Sequence, residues 1–338
     1  MIIVLKPNPD QKQLEALKKW LCEQNLTVHD SLGVNNTVLG LVGDTTAVDT
    51  EMLRAMSIVQ DVQRVQEPYK CANRKMHQTD TVIDVGGVKI GGGTFQIMAG
   101  PCSIESQEQI SEIAVAVKAA GASILRGGAF KPRTSPYAFQ GLREKGLEML
   151  INASRQAGMP VVTEIMDISQ LPYFEDVDVI QVGARNMQNF ELLKELGKTD
   201  KPILLKRGFS ATLTELLMSA EYIMAGGNEK VILCERGIRT FATDTRNTLD
   251  LSAIPLLRRM THLPIIVDPS HGTGIRSLVK PMALASAIIG ADGLMVEVHN
   301  HPEKAWCDGQ QSITPETFAD VAKCVRDVLP YRCREEIE

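Results

Sequence analysis

The chain has no apolar run long enough to cross a bilayer, and its N-terminus has neither the basic nor the apolar region of a secretory signal. No membrane partner is therefore expected. It has no excess of positive charge. The net charge of −5 over 338 residues argues against general nucleic-acid affinity and makes any cationic cluster a local feature. Its seven cysteines show no paired short spacings. That argues against a disulfide framework or a zinc finger, and for reduced thiols in a cytoplasmic protein. What is present is ordinary for a globular protein, 44% apolar and 23% charged residues. The length sets a prior of about two domains.

Residues 1–70 read as a small unit of their own. An apolar strand, 1–5, is closed by Pro7 and Pro9. Residues 11–24 place Leu14, Leu17 and Leu21 at helical spacing. Two β-rich runs, 26–32 and 37–42, flank a turn signal. A short helix over 46–56, capped by Thr45 or Thr46, precedes a strand over 58–65. The order β-α-β-β-α-β is that of a ferredoxin-like (ACT-like) domain. Residues 71–80 read as a linker and 81–90 as a hairpin turning at Gly86-Gly87.

From residue 95 the period changes. Short apolar runs at 95–99, 123–125, 161–164, 177–182, 203–206, 231–234, 265–267 and 294–298 alternate with helical stretches. Those stretches are 107–120, 142–157, 169–174, 189–196, 212–225, 249–260, 278–289 and 315–328. Near-continuous apolar strands imply a parallel sheet buried on both faces. Eight strand–helix units over roughly 250 residues match a (β/α)8 TIM barrel, over residues 81–338 with the hairpin in front. An open doubly wound sheet is the alternative, but no Gly-rich dinucleotide fingerprint follows the first strand. The fold class is thus α/β, a barrel preceded by the small βαββαβ domain.

Barrel sites lie at the C-terminal ends of the strands, and every predicted strand end carries an ionisable residue. The stretch 126–141 is the richest. Arg126, Lys131 and Arg133 fall within eight residues, among Gly, Ala, Phe and Pro. Paired glycines and Pro132 exclude a helix, leaving a loop with unpaired positive charge that suits a phosphate. Arg185, Lys206 and Arg236 follow later strands. So many cations around one mouth call for more than one anionic group, even if carboxylates pair one or two of them. A second set, Cys102, His271, Glu297 and Asp308, falls on or after the first, seventh and eighth strands, which are neighbours in a closed barrel. Thiol, imidazole and two carboxylates suit one divalent first-row metal, Mn, Fe, Co or Zn. His299, two residues from Glu297, shares its strand face and is a rival ligand or a hydrogen-bonding partner. Taken singly, each of these residues could equally be structural.

Four motifs, Gly100-Pro101-Cys102-Ser103, Lys131-Pro132-Arg133-Thr134, Gly183-Ala184-Arg185-Asn186 and Asp268-Pro269-Ser270-His271, together resemble the 3-deoxy-D-arabino-heptulosonate 7-phosphate (DAHP) synthases. The match is to the short type I beta form with an N-terminal ferredoxin-like regulatory domain, and it covers essentially the whole chain. The resemblance implies condensation of phosphoenolpyruvate with erythrose 4-phosphate, the first step of the shikimate pathway. It implies a metal held by Cys102, His271, Glu297 and Asp308. It places phosphoenolpyruvate on Arg126, Lys131, Arg185, Lys206 and Arg236, and the aldose phosphate on Arg133 and Thr134. Lys131 would also move a proton, and Glu164 would handle the water proton with Asp268 or His271. The sister enzyme, 3-deoxy-D-manno-octulosonate 8-phosphate synthase, has one more residue in the loop, Lys-Ala-Asn-Arg-Ser-Ser. The shorter loop through Pro132 here favours the four-carbon acceptor. The resemblance further implies a homotetramer and feedback inhibition by Tyr or Phe, sensed near His29, Asp30 and Ser31. A non-catalytic amino-acid-binding regulator is the reading from another class.

Overall fold

The computed structural model describes residues 1–32, 37–45, 48–63, 67–131, 135 and 137–333, without the side chains of Ser31 and Leu32. Arg133 and Thr134, expected to hold the second substrate, and Pro132, between Lys131 and Arg133, lie outside the described residues, as does the Ser31 side chain. The chain forms two compact units, Met1–Asp80 with Met260–His262, and Thr81–Arg259 with Leu263–Glu338.

The first unit contains β1 (Ile2–Leu5), α1 (Gln11–Glu23), β2 (Thr27–Leu32), β3 (Thr37–Val42), α2 (Thr50–Arg54) and β4 (Val59–Gln63). Its antiparallel sheet has the order β2-β3-β1-β4, the ferredoxin-like arrangement. Asp10 caps α1 by accepting from the Gln13 N–H at 2.9 Å, and Leu14, Leu17 and Leu21 bury the helix face. The second helix is shorter than the pattern predicts. Asp49, not a threonine, caps it, accepting from the Glu51 and Met52 N–H groups. Asp is as good a cap as Thr and sits closer to the buried Leu53.

The second unit opens with a hairpin, β5 (Val82–Val85) and β6 (Val88–Gly91). Eight parallel strands then close into a barrel: β7 (Gln96–Gly100), β8 (Ile124–Arg126), β9 (Val161–Ile165), β10 (Val179–Val182), β11 (Ile203–Lys206), β12 (Val231–Glu235), β13 (Ile265–Val267) and β14 (Gly293–Glu297), with β14 pairing β7. Closure excludes the open sheet. The connecting helices are α3 (Gln107–Ala120), α4 (Arg143–Ala157), α5 (Phe190–Leu196), α6 (Leu213–Ala225), α7 (Ala253–Met260), the short α8 (Pro269–Thr273) with α9 (Arg276–Ile288), and α10 (Pro315–Val328). After β9 the expected α-helix is a 3-10 segment, Ile168–Phe174, because Pro172 removes a backbone donor within it. Hairpin residues Ile83, Val85 and Ile90 pack into one core with Met98, Ile124, Val162, Val179 and Met295 of the barrel interior. Gly86 and Gly91 of the hairpin lie against Pro160 and Pro264, which precede β9 and β13. The hairpin therefore plugs the N-terminal end of the barrel and leaves the C-terminal mouth for chemistry. Among the described residues no helix is long and apolar enough to cross a membrane.

Candidate active site

Each barrel strand delivers a side chain to the C-terminal mouth from its last two residues or just past them. Cys102 follows β7, Arg126 ends β8, Glu164 is the penultimate residue of β9, Arg185 follows β10, Lys206 ends β11 and Arg236 follows β12. Asp268 follows β13 and caps α8, on which His271 rides. Glu297 ends β14, and Asp308 sits in the loop beyond it, in the left-handed region at φ 52° that Asp tolerates better than most residues.

Two clusters meet there. In the first, one ligand atom from each of Cys102, His271, Glu297 and Asp308 lies within 4.8 Å of the other three. His271 Nε2 is 3.2 Å from Glu297 Oε1, and Cys102 Sγ is 3.3 Å from Asp308 Oδ2. Burial pushes the His271 imidazole down, against the pull of Asp268 and Glu297, toward the form that can donate a lone pair. For Asp308 burial acts in the opposite sense, but His271 and Arg246 overrule it and hold the carboxyl well below its usual range. Glu297 follows the same pattern, with His271 and Arg126 outweighing burial. The Cys307 thiol and burial raise Cys102; a metal bound there would reverse this, since a ligating thiol is deprotonated. The set fits a divalent first-row metal.

The support around these four is extensive. Asp268 Oδ2 is 2.6 Å from His271 Nδ1, and its Oδ1 accepts from the His271 N–H at 2.9 Å. Gln311 Nε2 donates to Glu297 Oε2 at 2.6 Å. His299 is not a rival ligand. Its Nε2 lies 3.1 Å from Gln109 and 3.5 Å from Glu105, while its Nδ1 accepts from the His301 N–H. The strand ends at Glu297, so period-two alternation no longer carries His299 to the mouth.

The second cluster lines a cavity of about 290 Å³, bordered by Arg126, Lys131, Glu164, Arg185, Lys206 and Arg236 together with His271 and Asp308. All five described cations of the sequence reading converge on it. Two of them are paired with carboxylates, as many as the sequence reading allowed, and one of these, Arg126, belongs to the loop read as unpaired. Arg126 Nη1 meets Glu297 Oε1 at 2.9 Å, and Lys206 Nζ bonds Asp268 Oδ2. Both partners are distant in sequence, 171 and 62 residues away, which is why the local pattern hid them. Lys131 Nζ donates to the Cys102 carbonyl at 2.8 Å and lies 3.0 Å from its Sγ. Glu164 accepts from Gln181 Nε2 at 3.1 Å, its register neighbour on β10. A side chain at Gly183 would place a Cβ 2.0 Å from Glu164 Oε1, so glycine is what lets that carboxylate face the cavity.

Sequence reasoning missed Arg246, which lines the cavity and lies 3.4 Å from Asp308. It stands eleven residues past β12, beyond the strand-end window. Phe209, also in the lining, carries no charge and gave no signal. On the first unit, His29 lies in the edge strand β2, within the β-rich run 26–32 read from the sequence, and is exposed, while Asp30 is bonded to Lys18 at 2.6 Å.

Comparison with known proteins agrees with this geometry. Residues 69–331 match the model of the DAHP synthetase I family, and residues 1–67 that of the DAHP synthase ferredoxin-like domain. Phospho-2-dehydro-3-deoxyheptonate aldolase of Thermotoga maritima is 51% identical over 324 residues, 96% of each chain. A crystal structure of the Thermotoga maritima DAHP synthase superposes with a TM-score of 0.78 at 50% identity, covering 97% of both chains. The 2-dehydro-3-deoxyphosphooctonate aldolase of Geobacter sulfurreducens is 32% identical over 73% of this chain and 97% of its own. With a closed barrel, a four-residue ligand set and a cationic cavity at its mouth, the chain belongs to the DAHP synthetase I family.

Proposed function

We propose that the chain is a DAHP synthase, condensing phosphoenolpyruvate with erythrose 4-phosphate and releasing phosphate. The observation that carries this is the junction of the two clusters: cations for a dianionic enol phosphate share one cavity with the Cys102, His271, Glu297 and Asp308 set. The Thermotoga maritima relative covers 96% of the chain, whereas the Geobacter sulfurreducens octonate aldolase covers 73% of it.

Arg126, Lys131, Arg185, Lys206 and Arg236 hold the carboxylate and phosphate of phosphoenolpyruvate. They fix which face of the enol meets the aldehyde, and orientation of this kind supplies roughly 7–11 kcal/mol of a barrier. Arg133 and Thr134 take the aldose phosphate. Cys102, His271, Glu297 and Asp308 would hold a divalent ion, Mn, Fe, Co or Zn, which would supply Lewis-acid polarisation of the aldehyde. Carbon 3 of the enol forms the new C–C bond, and the aldehyde oxygen takes a proton. Lys131 is placed to give it: burial opposes its charge, but Cys102 and its neighbours keep the ammonium protonated. Water then adds at carbon 2, Glu164 takes its proton with Asp268 or His271 assisting, and the carbon–oxygen bond to phosphate breaks.

Residues 1–70 form the regulatory domain, joined by 71–80 to the catalytic domain 81–338. Its effector is Tyr or Phe, bound near His29 and Ser31, and the assembly is a homotetramer. The exposed His29 on an edge strand supports this reading. The test is phosphate release from phosphoenolpyruvate with erythrose 4-phosphate against arabinose 5-phosphate. Release that requires the four-carbon sugar supports the proposal. Preference for the five-carbon sugar assigns the octonate reaction instead, and no release with either sugar leaves the regulator.

A further inference from the structure

The cations of the cavity differ in what balances them. Arg126 and Lys206 face carboxylates. Arg185 and Arg236 have no carboxylate within ion-pair distance among the described residues, although Arg236 is only 3% exposed. What these two share is an aromatic ring. The guanidinium carbon of Arg236 lies 4.6 Å from the centroid of Phe209, and that of Arg185 lies 5.2 Å from it. A third arginine, Arg239, sits 4.7 Å from the same centroid.

An aromatic face attracts a guanidinium through its quadrupole. Unlike a carboxylate, it accepts none of the five N–H donors of the fork in the guanidinium plane. It therefore steadies the cation while leaving the donors free. A carboxylate in the same place would occupy the fork and repel an incoming phosphate. Arg236 spends one donor on the Gly237 carbonyl at 3.3 Å; Arg185 makes no such bond among the described residues.

The ring is itself held in place. Phe209 stands three residues past Lys206, on a loop anchored by Arg207. That side chain donates from Nε to the Ala211 carbonyl at 2.9 Å, and from Nη1 to Glu235 at 2.8 Å and Asp250 at 2.9 Å. Glu235 Oε1 accepts from the Gly237 N–H at 2.6 Å. One buried carboxylate thus fixes both the loop that carries the ring and the turn that carries Arg236. The Phe209 carbonyl accepts from the Arg239 N–H at 2.7 Å, tying the third arginine to the same loop.

We propose that Phe209 is a positioning residue of the anion site, which holds Arg185 and Arg236 side by side with their donors open to the phosphate of the enol substrate. The identity of that substrate rests on the function proposed above; the role of the ring in anion binding does not. The experiment compares Phe209→Leu and Phe209→Tyr in the full chain. Leucine keeps apolar bulk without a π face, and tyrosine restores the face. Phosphate-release kinetics give the two KM values and kcat, and calorimetry gives direct binding of phosphoenolpyruvate.

Phe209→Leu raises the KM and Kd for phosphoenolpyruvate about tenfold, the combined loss of two such contacts. The KM for erythrose 4-phosphate and kcat stay within about twofold, and Phe209→Tyr returns phosphoenolpyruvate binding to within about threefold of the wild type. Unchanged binding in the leucine variant overturns the proposal. So does a parallel rise in both KM values, or a tyrosine variant no better than leucine. Thermal melting accompanies each variant, and Phe209→Met replaces leucine if that protein melts early. If the wild type binds phosphoenolpyruvate but does not turn over with the sugar, the functional reading fails while calorimetry still decides the role of Phe209. If it binds no phosphoenolpyruvate, inorganic phosphate serves as the probe in the same comparison.

Discussion

Asp268→Asn keeps the shape of a fully buried side chain and removes its charge. Three contacts converge on this one carboxylate: Lys206 Nζ and His271 Nδ1 on Oδ2, and the His271 N–H on Oδ1. Burial would raise its pKa, but His271 and Lys206 hold it well down, so the native group is an anion. The amide keeps the backbone cap through its oxygen. Its NH2 then points at Lys206 and His271, two donors. Lys206, 4% exposed, loses its counter-charge; breaking a buried pair from one side costs about 3–5 kcal/mol. To rescue its own bond the imidazole must accept at Nδ1, which puts the proton on Nε2, the atom that faces Glu297 at 3.2 Å. A protonated Nε2 cannot ligate. Loss of such a supporting partner typically lowers metal affinity about 10–100-fold. Denaturant unfolding in chelator reads the first effect, and calorimetric titration with Mn or Zn reads the second. An Asp268→Asn protein that binds metal within a factor of two of wild type refutes the tautomer argument, whatever its stability.

Three further expectations come from the site. Gly183→Ala displaces the Glu164 carboxylate, whose oxygen lies 2.0 Å from the added carbon, without burying new surface. Turnover falls about 100-fold or more while the melting temperature stays near wild type, as for Glu164→Gln; unchanged kcat removes Glu164 from proton transfer. Arg133→Ala raises the KM for erythrose 4-phosphate far more than that for phosphoenolpyruvate in steady-state assays, and equal changes contradict the division of the two anions. His29→Ala weakens inhibition by Tyr or Phe with basal kcat unchanged, measured as the inhibitor concentration for half activity; undiminished inhibition places the effector elsewhere.

The parts of this molecule that were legible in the sequence are those that repeat. Eight buried strands with ionisable residues at their ends announce both barrel and mouth, because strand period and chain direction are local properties. Adjacency of Cys102, His271, Glu297 and Asp308 could be inferred once closure put β13, β14 and β7 side by side. Pairings that span the barrel were not legible. Glu297 serves both Arg126 and the ligand set, and Asp268 serves both Lys206 and His271, so the cationic and ligand clusters are electrostatically one network. Nothing local marks such sharing. His299 was misplaced because alternation was carried two residues past the end of its strand. Phe209 went unseen because its contribution is a face and not a charge.

In the proposed reaction the ligand cluster and the cationic cavity act together on two phosphorylated substrates. Loss of phosphoenolpyruvate absorbance on addition of erythrose 4-phosphate, with and without a chelator, tests it most directly. Rapid loss with stoichiometric phosphate release is expected, abolished by chelator, restored by a first-row divalent ion, and absent in Cys102→Ala. Full activity of Cys102→Ala in chelator, or consumption of phosphoenolpyruvate without the sugar, would contradict it.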